Sequence, residues 1–140
     1  RRIFSDEPMN IRTAMLEMPM AERLTYDSEQ NLFFVNFAGM NVRNEADIAG
    51  ILEAVEAALA PVGHKVNAIV NYDRFSIVPE LVDDYIGVVK GIMERHYHDV
   101  TRYTSSTFLR MKLGEALEKR ALAPHLYESA DEAAANLVKG

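Results

Sequence analysis

The side chains with most chemical potential fall in two short stretches, each of which follows an apolar run. In IVNYDRFSIVPELVDDY (69–85) the run breaks into Asn71-Tyr72-Asp73-Arg74-Phe75-Ser76 before a helical pattern begins near Pro79. Ser76 has the chemistry of a nucleophile or a phosphate acceptor, and Asp73 and Arg74 can pair with each other or touch a ligand. In VTRYTSST (100–107) the hydroxyls of Thr104, Ser105, Ser106 and Thr107 lead into a second helical pattern, with Arg102 and Arg110 nearby in sequence. That composition suits a small polar pocket or a phosphoacceptor at Ser105, Ser106 or Thr107. Both stretches lie where strands give way to helices, at the carboxyl ends where α/β proteins collect ligands. If the two strands are neighbours, the two loops adjoin.

Each chemistry has requirements beyond the residue itself. A serine nucleophile needs a base and an oxyanion hole, and the glycines of a G-x-S-x-G elbow are missing around Ser76. A phosphate site at a helix start uses free N–H groups. Here Glu80, Asp83 and Asp84 already answer the helix dipole, and Pro79 removes a donor. Ser76 is therefore expected in an ordinary loop or just before a cap, Asp73 in a turn and Phe75 in the core. The 104–107 hydroxyls are expected to start a helix, with Thr107 as its cap.

His96 and His98 in RHYHD (95–99) are two residues apart, so on a helix they face different ways and make a poor metal pair. The helix dipole is a simpler reason for them. The chain has no cysteine, which removes disulfides and thiolate chemistry. It also has no Gly-rich phosphate loop and no H-E-x-x-H pattern. No cofactor and no metal are expected in this piece.

The elements that must position these residues follow from periodicity. The chain's 140 residues, 49% hydrophobic and 26% charged, suit a single globular domain. Residues 1–22 read as an arm, with Ile11, Ala14, Met15 and Met18 at helical spacing before Pro19. RLTYD and LFFVNFAGM form a β-hairpin, and LFFVNF is apolar enough to be covered on both faces. NEADIAGILEAVEAALAP (44–61) is an amphipathic helix capped by Asn44. VNAIVNY (66–72) is a strand, Pro79–His96 a helix, 100–106 a strand, 107–120 a helix, HLYES (125–129) a last strand, and DEAAANLVK a terminal helix started by Ser129 or Asp131. The order β-β-α-β-α-β-α-β-α predicts an α/β fold with a mostly parallel sheet, right-handed crossovers and the first hairpin strand antiparallel at the edge.

Partners are bounded by charge and hydropathy. Net charge is −6 with both signs mixed, which disfavours nucleic acid. No apolar run approaches the ~20 residues of a membrane span, and RRIFSDEPMN lacks the apolar core of a signal peptide. A cytoplasmic setting is expected. The chain opens on Arg1, which fits either a removed start or a piece of a longer protein.

Two resemblances bear on function. The element order over residues 23–139 resembles the STAS domain of the sporulation anti-sigma-factor antagonists. In phosphorylated members the acceptor hydroxyl lies in an Asp-Ser-Gly-like turn, whereas the equivalent turn here is DRFSIVPE. The segments ERLTYD, NLFFVNFAGMNVR, LAPVGHKVNAIVNYDRFSI, PELVDDY, VTRYTSSTFLRMKLGEALEKR and APHLYES, with the RIFSDEPM arm, look like the C-terminal extension of certain long bacterial acyl-CoA:acetate/3-ketoacid CoA-transferases. This second resemblance implies a non-catalytic accessory domain whose partners are the catalytic domains of the parent chain, with a homo-oligomer as a further option. The family's glutamate, set in a Ser-Glu-Asn-Gly-like motif, has no counterpart. Glu115 in LGEAL sits mid-helix, so no catalytic residue carries over. The rival expectation is a free-standing STAS-type regulator that binds a protein partner.

Overall fold

A four-stranded sheet organises the computed structural model, which describes residues 18–138. The expected helix in the N-terminal arm lies outside the described residues, apart from its last position. A 3-10 turn at Met20–Arg23 leads into β1 (Leu24–Asp27), which pairs antiparallel with β2 (Leu32–Asn36). The connecting turn is held by the Asp27 carboxylate, which accepts from the Glu29 amide at 2.9 Å, and by Asn31 at φ 53°. Asparagine tolerates that left-handed conformation. The sheet continues with β4 (Val66–Asn71) and β6 (Tyr97–Tyr103) in the order β1-β2-β4-β6, and β2, β4 and β6 run parallel. The mostly parallel sheet with an antiparallel edge strand is as the sequence predicts.

Two further strands are too short to show in the sequence pattern. β3 (Asn41–Val42) and β5 (Ser76–Ile77) form a separate parallel ribbon beyond the carboxyl ends of β2 and β4. Four α-helices complete the described residues: α1 (Glu45–Leu59), α2 (Val82–His96), α3 (Thr107–Lys119) and α4 (Ala130–Ala135).

Local chemistry explains the helix boundaries. The Asn44 side chain accepts from the Asp47 amide at 2.9 Å, and the Asp47 carboxylate accepts in return from the Arg43 amide at 2.9 Å. This reciprocal arrangement resembles a capping box. The helix predicted from Pro79 begins as a 3-10 turn, Pro79–Leu81, and becomes α-helical at Val82. Ser106 caps α3 in place of the expected Thr107, because its Oγ accepts from the Leu109 amide at 3.1 Å. Ser129 caps α4 by accepting from the Glu132 amide.

The core lies on one face of the sheet. Phe33, Val35, Ala68 and Val70 from the strands meet Ile51 and Val55 of α1, Tyr85, Ile86 and Ile92 of α2, and Leu113 and Leu117 of α3. Burying each large side chain fully contributes on the order of 2 kcal/mol. The opposite face carries a small cluster of Leu32, Ile69, Ala133 and Leu137, covered by the short α4. Thr101 donates to the Ala133 carbonyl there, and the Asp99 carboxylate accepts from the Val138 amide at 2.7 Å. Phe34 on β2 stays 40% exposed, so β2 is not covered on both faces as its apolar run predicts.

Two strand expectations need correction. The run at 100–106 is a strand over 97–103 instead: β6 starts at Tyr97 directly after α2 ends, with no loop, because Tyr97 already has extended dihedrals. HLYES is not a strand but a single bridge, Tyr103 to Tyr127. Pro124 precedes this segment and the Ser129 cap follows it, which leaves room for little more than the Tyr127 backbone pair to Arg102 and Thr104.

Candidate functional site

The carboxyl ends of β4 and β6 bring the two hydroxyl-bearing loops side by side. After Asn71 the Tyr72 amide bonds to the Tyr103 carbonyl at 2.9 Å. The chain then turns on an Asx bond, with the Asp73 amide donating to Asn71 Oδ1 at 2.8 Å. Arg74 follows at φ 56°, a left-handed conformation that is uncommon for a residue with a Cβ. Phe75 drops into the core, its ring centroid 4.9 Å from that of Tyr72 and 5.7 Å from that of Tyr85. That buried ring anchors the turn.

Asp73 joins the loops. One oxygen of its carboxylate, Oδ1, accepts from the Ser105 amide at 2.7 Å and from the Ser105 hydroxyl at 3.1 Å. The Gly39 amide reaches the Asp73 carbonyl at 2.9 Å, tying in the β2–β3 connection as well. Asp73 forms these bonds rather than an ion pair with Arg74, and the side chain that closes the local turn is that of Asn71, not the expected Asp73. Tyr103 lies beside this clasp, and its hydroxyl pKa is pushed upward by burial and then by the Asp73 charge.

The remaining candidate hydroxyls also serve structure. Ser76 lies in β5, not in a loop or pre-cap position, and its hydroxyl bonds to Asn41 Oδ1 across the short ribbon. An amide oxygen is no general base, so Ser76 lacks the partner that a nucleophile needs. Thr104 is fully buried, and its Oγ1 accepts from the Ser106 amide. Arg110 wraps the helix start, donating to the Thr104 carbonyl at 2.7 Å and to Thr107 Oγ1 at 3.2 Å. Arg102 does not line a polar pocket here. It is 3% exposed in the core and donates to Met93 Sδ at 3.2 Å.

Beneath the clasp, Tyr72 and Tyr85 share a hydroxyl–hydroxyl bond of 2.6 Å. Burial raises both pKa values, although the nearby Arg102 charge pulls each of them down. Both hydroxyls therefore stay protonated at neutral pH, and neither can act as a phenolate base. The adjoining core void of about 20 Å³ has room for roughly a water molecule.

The roomier feature lies beside the clasp. A groove of about 460 Å³ separates residues 74–83 from α3. Phe75, Ile77, Leu109 and Leu113 line its floor, and Arg74, Ser76 and Ser106 are among its polar lining. Phe108 on α3 borders the groove and is 65% exposed. Glu115 also lines this groove. Sequence reasoning missed the groove, since it depends on the packing angle of α3 against the 74–83 loop. The one signal in the sequence is Phe108 at the start of a helix, an exposed aromatic that borders the groove.

Among the described residues no group of three or more His, Cys, Asp or Glu is placed to hold a metal. His96 instead faces the Glu56 carboxylate at 3.4 Å, with Arg95 at 2.9 Å from the same oxygen. Among the described residues no helix is long and apolar enough to cross a membrane. The chain matches no protein-family model, no curated protein and no solved structure.

Proposed function

We propose that this chain is a STAS-like, non-catalytic accessory domain at the C-terminus of an acyl-CoA:acetate/3-ketoacid CoA-transferase, serving assembly or regulation of the catalytic domains. The observation that carries the non-catalytic half is the Asp73 clasp. The carboxylate best placed to act as a base is already occupied by two donors from Ser105. Ser76, the hydroxyl best placed to act as a nucleophile, is bonded to an amide oxygen. The position that would host chemistry in an α/β protein is given over to holding loops together.

The transferase half rests on the sequence resemblance from RIFSDEPM to APHLYES, and the order of the main sheet with its first three helices, β1-β2-α1-β4-α2-β6-α3, supports the STAS likeness. Deleting residues 1–140 from the parent transferase tests the assignment. The expected result is a truncated enzyme that retains CoA transfer but assembles less completely or inactivates sooner on heating. Loss of the chemical step itself, with the catalytic domains still folded, would overturn it.

A further inference from the structure

The groove between residues 74–83 and α3 has a shape and a charge pattern that the clasp does not use. It follows α3 from Ser106 to Lys119, a run of about 20 Å at 1.5 Å per residue. Its 460 Å³ falls in the range of small-ligand sites, about 300–1,000 Å³. A narrow extended chain suits a trough of this length and volume.

Charge identifies one end of that chain. The protein carries a net −6, yet the groove is lined by three cations, Arg74, Lys112 and Lys119, against two carboxylates, Asp83 and Glu115. Arg74 and Lys119 make no hydrogen bond or ion pair among the described residues, whereas Arg95, Arg102, Arg110 and Arg120 all do. Arg74 and Ser106 adjoin the Asp73–Ser105 clasp at one end of the groove, and Phe75, Ile77, Leu109 and Leu113 supply its apolar lining, with Lys112 and Glu115 also bordering it. A cation and a hydroxyl at the head of an apolar trough complement an amphiphile with a single anionic head.

We propose that this groove binds a free fatty carboxylate, with its head at Arg74 beside Ser106 and its tail along Phe75, Leu109 and Leu113. The site does not depend on the transferase assignment, since it is built wholly within this chain.

Titrating octanoate into the ¹⁵N-labelled chain, below its micelle concentration, tests it through amide shifts. Saturable shifts confined to 74–83 and 105–119 are expected. Octan-1-ol, which keeps the tail without the charge, and butyrate, which keeps the charge without the tail, should each bind at least fivefold more weakly. The Arg74→Gly variant removes the guanidinium and suits the φ of 56°. It should weaken octanoate at least fivefold, leave octanol unchanged and keep the thermal midpoint at or above the parent value. Absent or scattered shifts, equal binding of octanoate and octanol, or octanoate binding indifferent to Arg74→Gly would each overturn the proposal. Co-sedimentation with phosphatidylglycerol vesicles in the absence of any octanoate shift would overturn it too, by assigning the groove to a lipid surface.

Discussion

Asp73→Ala isolates the clasp that joins the β4 and β6 loops. The substitution removes one acceptor that serves two donors, the Ser105 amide at 2.7 Å and its hydroxyl at 3.1 Å. A hydrogen bond to a charged group contributes about 1.5–3 kcal/mol when buried. Asp73 is half-buried and Ser105 exposed, so solvent screening reduces each to about 1 kcal/mol or less. The expected loss is about 1–2 kcal/mol, a drop of roughly 5 °C in thermal midpoint for a domain of this size. Asp73→Asn keeps an oxygen acceptor and should lose less than half as much. Ser105→Ala removes only the longer bond, for about 0.5 kcal/mol. Calorimetry gives the midpoints, and amide exchange at Ser105 gives the local readout, which should accelerate in Asp73→Ala. An unchanged midpoint together with unchanged Ser105 exchange would refute the clasp.

Three other perturbations follow from the packing. Asn67 is fully buried, and neither its Nδ2 nor its Oδ1 has a hydrogen-bond partner; Asn67→Leu removes that desolvated amide and should raise stability by about 1–2 kcal/mol in urea unfolding, while a loss of similar size would contradict the unpartnered reading. Gly50→Ala adds a Cβ with nothing within 4 Å and should stabilise α1 by about 0.5–1 kcal/mol, whereas Gly114→Ala drives a Cβ to 2.8 Å from the Pro124 carbonyl oxygen and should destabilise despite the better helix propensity. The His96 and Arg95 bonds hold the Glu56 carboxyl below its usual 4.5; the stability it contributes is present above about pH 4.5 and is lost as pH falls through the lower folded value, so Glu56→Gln should flatten the acid limb of the stability profile and have least effect at the lowest pH.

The larger elements were legible because their signals are local. A short, apolar, β-branched run marks β4, the Ile48-Ile51-Val55-Leu59 spacing marks α1, and Asn44 and Ser129 announce their helices. The antiparallel edge strand followed from a hairpin whose turn is short. What stayed hidden depends on contacts distant in sequence. The β3–β5 ribbon pairs two residues with two others about 35 positions away, and no period can show in so short a strand. Arg102 was noted only as a neighbour in sequence of a possible polar pocket, because only the fold places Met93 and Tyr72 around it. The Asp73–Ser105 clasp was half legible: the loops adjoin as parallel neighbours should, but the choice of Ser105 as partner is set by backbone geometry. Ser76 was expected in a loop or just before a cap, and its place in a strand comes from its pairing with Asn41.

CoA exchange between an acyl-CoA and acetate, assayed with the full-length parent protein and with residues 1–140 alone, separates an accessory domain from an enzyme. The full-length protein is expected to turn over while the 140-residue chain shows nothing above the uncatalysed rate. Transfer of CoA by the 140 residues alone, or a full-length protein with no transferase activity at all, would contradict the proposed role.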